Sequence, residues 1–164
     1  MVDPLTRLAN RRAMLERLEH ESNRCSRSQL SFTILFVDLD HFKVVNDRMG
    51  HDAGDAILME TGVRMKGMLR SQDTVARWGG EEFLILLPET DRGQGVVVAE
   101  KIRGRLAEAP FYAGGEAVEV TASFGVAQYE AGGEVAQLLK SADEALFVAK
   151  NKGRNRIEVA GKGC

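Results

Sequence analysis

Cysteine is nearly missing from this chain, which has only Cys25 and Cys164 in 164 residues. The two stand far apart in no framework spacing, so a reduced, intracellular setting is the simpler expectation. Charge of one sign is missing as well: 22 Lys and Arg oppose 24 Asp and Glu, a net of −2. That balance supplies no global basic face, so DNA and RNA are not expected as partners. No apolar run approaches the length that crosses a membrane, and nothing at the start resembles a signal peptide. Internal repeats, low-complexity tracts and long linkers are absent too. What remains is a chain long enough for one core, with the apolar content of a globular protein. The opening "MVDPLTRLANRR" enters folded-looking sequence at once. Residues 1–164 are therefore expected to be a single domain excised from a longer multidomain protein. The domain itself is expected in the cytoplasm, with any membrane anchor elsewhere in the parent.

Hydrophobic periodicity orders the elements. Asn10 reads as an N-cap before "RRAMLERLEHE", where Met14, Leu15 and Leu18 form a helical stripe. "SFTILFV", Ser31 to Val37, reads as a buried strand. A helix follows with Ala53, Ile57, Thr61, Met65 and Met68 on one face, ending near Arg70. "TVARW" and "EEFLILLPE" read as a hairpin, with Gly79 and Gly80 expected to supply positive φ at its turn. Asp91 caps a helix through Val98, Ile102 and Leu106. "EAVEVTASFGVAQY" alternates and predicts one long strand with one buried face. A last helix carries Leu138, Leu139, Ala142, Leu146 and Ala149 inward, stops near Gly153, and leads to a closing strand "RIEVA". This order predicts an α+β or ferredoxin-like domain, a mixed sheet with helices packed on its faces.

The chemistry gathers where strands end. Asp38 and Asp40 leave the first buried strand with their carboxylates on the same side. An isolated D-x-D most often just ends a strand and starts a turn. The hairpin alters that reading. If it neighbours the first strand, Asp38 and Glu81 meet at one edge of the sheet and offer hard oxygen ligands of the kind Mg²⁺ takes. Adjacent carboxylates without a cation repel and are pushed toward protonation. Glycines at the turn also let a phosphate or nucleotide lie against bare backbone. Asn46 and Asp55 present an amide and a carboxylate that together suit a guanine edge, although each alone reads as a cap or turn residue. The amides of His41 and Phe42 open a helix, and helix N-termini favour phosphate. Lys43, Lys150 and Arg154 are the cations nearest these motifs, although surface lysines are mostly just solvated.

Five ordered motifs then converge: "DPLTRLANRR", "VDLDHFKVVNDRMGHDAGDAIL", "RSQDTVARWGGEEFLILLP", "VTASFGVA" and "ADEALFVAKNKGRN". Together they resemble the GGDEF domain of bacterial diguanylate cyclases, here in a GGEEF variant, from Asp3 to about Asn155. The resemblance implies condensation of two GTP into cyclic di-GMP with release of pyrophosphate. It implies a five-stranded sheet wrapped by helices, similar to nucleotidyl cyclase and polymerase palm domains. It implies two Mg²⁺ (or Mn²⁺) per half-site, held by Asp38, Glu81 and the backbone carbonyl of Leu39, with Glu82 assisting the metals or the ribose 3′-hydroxyl. Gly79 and Gly80 would pass close to the nucleotide, Asn46 and Asp55 would read guanine, and His41 and Phe42 amides, Lys43, Lys150 and Arg154 would meet phosphates. Catalysis would need a two-fold homodimer, governed by an N-terminal sensory or regulatory domain of the parent signalling protein.

"RSQD" places Arg70 and Asp73 five residues before the glycine pair. By the same resemblance they form a product-inhibitory site for cyclic di-GMP, with Lys101 a weaker addition from a neighbouring domain. Arg7 stands where the family often has glycine, and Phe147 where it commonly has tyrosine. Two other readings stay open on the residues alone. One is a catalytically silent module that binds GTP or cyclic di-GMP, against which the intact Asp38, Glu81 and Glu82 speak. The other is a nucleotidyl cyclase with a mononucleotide product. His20, His41 and His51 form no ligand spacing, and Cys25 reads as an inert helix cysteine.

Overall fold

The computed structural model describes residues 1–161; Cys164 lies outside them. Chain order is α1 (Arg11–Ser28), β1 (Phe32–Leu39), α2 (Phe42–Met49), α3 (His51–Lys66), β2 (Thr74–Arg77), β3 (Glu82–Leu87) and α4 (Arg92–Glu108). Then come β4 (Phe111–Ala113), β5 (Glu116–Val118), β6 (Ala122–Tyr129), α5 (Val135–Asn151) and β7 (Ile157–Val159). Five strands form one sheet in the order β2-β3-β1-β6-β7, and β4 and β5 form a separate hairpin. Only β6 and β7 pair in parallel within the five-stranded sheet; the other neighbours are antiparallel. This is the mixed α+β sheet that the element order predicts.

Side-chain alternation sorts the core into two layers. Leu35, Val37 and Leu39 of β1 face one cluster with Ile57, Met65 and Ile102 from α3 and α4. Phe32, Ile34 and Phe36 face the other, with Met14 and Leu18 of α1 and Leu146 of α5. Every residue of β1 is therefore buried, which explains its unbroken apolar run.

The helix starts match their sequence signals. Asn10 accepts from the Ala13 amide at 2.9 Å. Asp91 and Gln94 form a capping box at α4. Three expectations need correction. The strand expected from Glu116 to Tyr129 is broken: β5 ends at Val118 and β6 begins at Ala122. Nearly all of β6 is buried on both faces, because α4 and α5 cover opposite sides of it. The apolar face of "FYA", Phe111 and Ala113, also forms β4, which no periodicity in so short a run announces.

The third correction concerns the glycine turn. Neither Gly79 nor Gly80 has positive φ. The turn is wider than a two-residue hairpin, since β2 stops at Arg77 and β3 starts at Glu82. Gly79 has a near neighbour instead, the far end of the flexible Glu82 side chain. A Cβ there would stand 2.6 Å from Oε1 of Glu82, whereas one on Gly80 would meet nothing within 4 Å.

Candidate active site

Register decides the geometry. In the antiparallel β1–β3 ladder Asp38 lies opposite Glu82. The Leu39 amide donates to the Glu81 carbonyl at 3.2 Å. The end of the first core strand and the glycine turn therefore share one edge of the sheet, as the sequence predicts for Asp38 and Glu81. Asp38 is buried, and Glu81 and Glu82 are half-buried.

These carboxylates disturb one another. Burial, then the Asp38 charge, pushes the Glu81 carboxyl above its usual range. Burial again leads for Glu82, followed by Asp38 and by Asp143 of α5. Asp38 is raised by burial although Lys150 pulls it down. The Lys150 ammonium donates to Asp38 Oδ2 at 2.6 Å and is the cation that neutralises this corner. Lys43 and Arg154 also act on it at longer range, on Glu81 and Asp38 respectively.

Asp40 follows the bland reading of D-x-D, with a definite task. Its carboxylate accepts from Thr121 Oγ1 at 2.7 Å, Ser123 Oγ at 2.7 Å and the Asn155 amide at 2.9 Å. That last bond fastens the loop after α5, where Arg154 and Asn155 both have positive φ. Asp40 thus fixes the segment carrying Arg154.

On the other flank, α2 begins at Phe42 after His41, whose φ is +55° and whose side chain makes no cap bond. Gly50, at φ +95°, separates α2 from α3. Asn46 is half-buried against α3, and a Cβ on Gly54 would collide with its amide oxygen. Its Nδ2 lies 3.2 Å from His51 Nδ1. Asp55, exposed, is the next residue after Gly54. Asn46 and Asp55 are thereby brought to neighbouring turns of two packed helices.

The turn is braced from behind. Arg77 donates to the Gly80 carbonyl from Nη2 at 3.0 Å and pairs with Asp3 at 3.4 Å. Asp3 in turn accepts from the amide and hydroxyl of Thr6, each at 2.8 Å. Arg70 and Asp73 sit at the opposite end of β2, bonded to each other at 2.8 Å; Arg70 also donates to Thr90 Oγ1 at 3.1 Å. Lys101 is exposed on α4.

Sequence reasoning missed Arg77, Asp3 and Asp143. Arg77 directly precedes the "WGGEE" turn, a signal that could have marked it as a brace. Asp143 shows only through folding, since α5 must pack over β1 and β6 before its charge is felt at Glu82.

A family model described as "Diguanylate cyclase, GGDEF domain" matches residues 1–156. The chain belongs to this family. As a GGDEF domain it is 41% identical over 160 residues to "Diguanylate cyclase DgcP" of Pseudomonas aeruginosa, covering 98% of this chain and 24% of that protein. The GGDEF domain thus spans about a quarter of that relative's length. Among solved structures it is similar to diguanylate cyclase SiaD from Pseudomonas aeruginosa, solved in complex with its activator SiaC. That similarity has a TM-score of 0.94 and 43% identity, over 97% of this chain and 61% of the other. The GGDEF domain of DgcB from Caulobacter crescentus, solved in complex with c-di-GMP, matches with a TM-score of 0.93 and 29% identity, over 97% and 95%. Among the described residues of the present GGDEF domain, no helix is long and apolar enough to cross a membrane.

The acidic corner suits a hard divalent cation on chemistry: its donors are oxygens, and ionising all three together is unfavourable without a countercharge. In this conformation, though, no three acidic, histidine or cysteine groups among the described residues are gathered closely enough to hold one ion.

Proposed function

We propose that this domain is a diguanylate cyclase, joining two GTP into cyclic di-GMP with release of pyrophosphate. One observation carries the reading: the pairing of Asp38 opposite Glu82, with Glu81 next in line and Lys150 on Asp38. The family and the relatives' names support it.

Asp38, Glu81 and the Leu39 carbonyl would hold Mg²⁺ or Mn²⁺, two ions per half-site, with Glu82 beside them. Bound there, the cations lower the pKa of the ribose 3′-hydroxyl and offset charge on the α-phosphate and the leaving pyrophosphate. The chain does the rest by placement. Asn46 and Asp55 hold the guanine edge. Lys43, Lys150, Arg154 and the amides of His41 and Phe42 hold the phosphates. Gly80, bare of any near neighbour, leaves its side of the turn open to the nucleotide. Glu82, next to Glu81 and opposite Asp38, would assist the ions or the activation of the 3′-hydroxyl.

Each domain binds one GTP, so two copies face each other across a two-fold axis, and each 3′-hydroxyl attacks the α-phosphorus bound by the partner. Each attack breaks the bond to pyrophosphate. Arg70 and Asp73, with Lys101 a further candidate from a neighbouring copy, form a product-binding site that holds copies apart from that arrangement. The work is cytoplasmic, and an N-terminal regulatory domain of the parent controls pairing.

The test incubates concentrated domain with GTP and Mg²⁺ and separates the products by chromatography. Cyclic di-GMP and pyrophosphate are expected. If none forms even when dimerisation is enforced by a fused coiled coil, the domain is a silent nucleotide-binding module instead.

A further inference from the structure

A side-chain amide that reads a base has two unlike ends of nearly the same shape. Nδ2 only donates, Oδ1 only accepts, and a half-turn about the last torsion exchanges them. Packing alone separates the two orientations poorly. A reader of this kind needs a neighbour that tells nitrogen from oxygen.

Asn46 has such a neighbour. Gly50, at φ +95°, ends α2 and turns the chain so that α3 opens at His51 and packs against α2. The Asn46 Oδ1 then lies against the buried Gly54, where a Cβ would collide with it and stand 3.1 Å from Cγ. Asn46 Nδ2 lies 3.2 Å from His51 Nδ1. An amide nitrogen has only hydrogens to offer, so Nδ1 accepts and the imidazole proton is on Nε2. Turning the amide over would set Oδ1 against this bare Nδ1, acceptor against acceptor. His51 is exposed, and among the described residues its ring makes no other hydrogen bond or ion pair.

We propose that His51 is a positioning residue for base recognition: by accepting from Asn46 Nδ2 it locks the amide in one orientation and so sharpens the preference for guanine over adenine. This deepens the reading of Asn46 as a guanine contact and rests on it. With one N–H given to His51, the amide keeps one N–H and Oδ1 for the base, in a fixed order. Guanine carries an acceptor at position 6 where adenine carries an amino donor, and guanine alone has a donor at position 2. A locked amide suits one of these patterns, whereas an amide free to turn adapts to either. His51 itself need not touch the nucleotide.

The experiment is calorimetric titration of the α,β-methylene analogues of GTP and ATP, with Mg²⁺, into the whole chain and into His51→Ala, His51→Asn and Asn46→Ala. These analogues cannot release pyrophosphate, so binding is read without turnover. His51→Ala is expected to weaken the GTP analogue about tenfold, the effect of losing one hydrogen bond at the reader, and to leave the ATP analogue unchanged. The preference for guanine therefore falls by the same factor, and Asp55 keeps the remainder. His51→Asn offers an acceptor oxygen near the place of Nδ1 and is expected to recover most of the preference. Melting temperatures of both His51 variants should match wild type, since the ring is exposed. An unchanged preference in His51→Ala, with GTP-analogue binding lost in Asn46→Ala, overturns the role of His51 and leaves the guanine reading standing. Equal losses for both analogues in His51→Ala mark damage to the start of α3 and also overturn it. No recovery in His51→Asn shows that the bulk of the ring matters rather than its acceptor, which overturns the lock. Wild-type affinity in Asn46→Ala overturns the guanine reading, and the present proposal with it.

Discussion

Gly125 is the position where a single methyl group should do most harm to both fold and function. It lies in the middle of β6, opposite Phe36 of β1 and Glu158 of β7. A Cβ there would overlap the Ala142 carbonyl oxygen and stand 2.5 Å from the Leu146 nitrogen and 3.1 Å from its Cα. All three atoms are backbone of α5, so no rotamer change relieves the clash. Ordinary contact begins near 3.4 Å, and α5 must therefore move outward by roughly 1 Å at its closest point. Overpacking of this kind costs about 1–3 kcal/mol. For a domain of this size that lowers the melting temperature by roughly 3–10 °C. Lys150 lies one turn beyond Leu146 on the same helix, and its ammonium is 2.6 Å from Asp38. A displacement of about 1 Å in a positioning group can reduce turnover on the order of 100-fold. Thermal melts followed by circular dichroism, together with initial rates of cyclic di-GMP formation, read both effects in Gly125→Ala. An unchanged melting temperature with an unchanged rate would refute the claim that contact between β6 and α5 backbone sets the place of Lys150.

Glu82→Gln should abolish turnover while raising the thermal stability of the metal-free protein. The Glu82 pKa is raised in the fold, so its ionised form is the destabilised one, and glutamine never ionises. The wild-type penalty is absent below the ordinary carboxylate pKa and grows as pH rises through the higher folded value. The advantage of the variant should therefore vanish on acidification, as thermal melts in chelator would show; an advantage that persists in acid argues against this origin. By the same sign, metal-free wild-type protein should lose stability as pH rises from just above the ordinary carboxylate range, because Asp38, Glu81 and Glu82 are all shifted upward. Asp40→Ala removes the acceptor for two hydroxyls and one amide, which should cost about 2–4 kcal/mol in urea unfolding; a midpoint like wild type would show that water replaces the carboxylate at no loss.

The readable parts of this chain were those where local chemistry and tertiary demand coincide. Asn10 and Asp91 cap helices because their side chains reach amides three residues on, which needs nothing from elsewhere in the fold. The run through Val37 was readable as a buried strand because both faces of β1 are covered. The meeting of Asp38 with the glycine turn depended on β3 pairing with β1, an arrangement that the hairpin suggested but spacing alone did not dictate. The glycines misled in their mechanism. A paired glycine in a turn usually signals positive φ, yet the turn from Trp78 to Glu81 is too wide to demand it and neither glycine adopts it. Strand β4 and the break before β6 were illegible because three residues hold too little periodicity to set against the alternation that runs on through Tyr129. Asp40 read only as a strand-ending turn residue, and its work as an anchor was illegible, since only the folded chain brings Thr121, Ser123 and Asn155 around it.

Lys150 has one ammonium and, on the proposed reading, two claimants. With Asp38 as its partner, it cannot at the same time give its full charge to a triphosphate. Substrate must draw it away, and Asp38 then seeks another countercharge. Whatever cation answers that need and the nucleotide that claims the lysine must strengthen each other's hold by the same factor, so neither should bind as well alone as in the other's company.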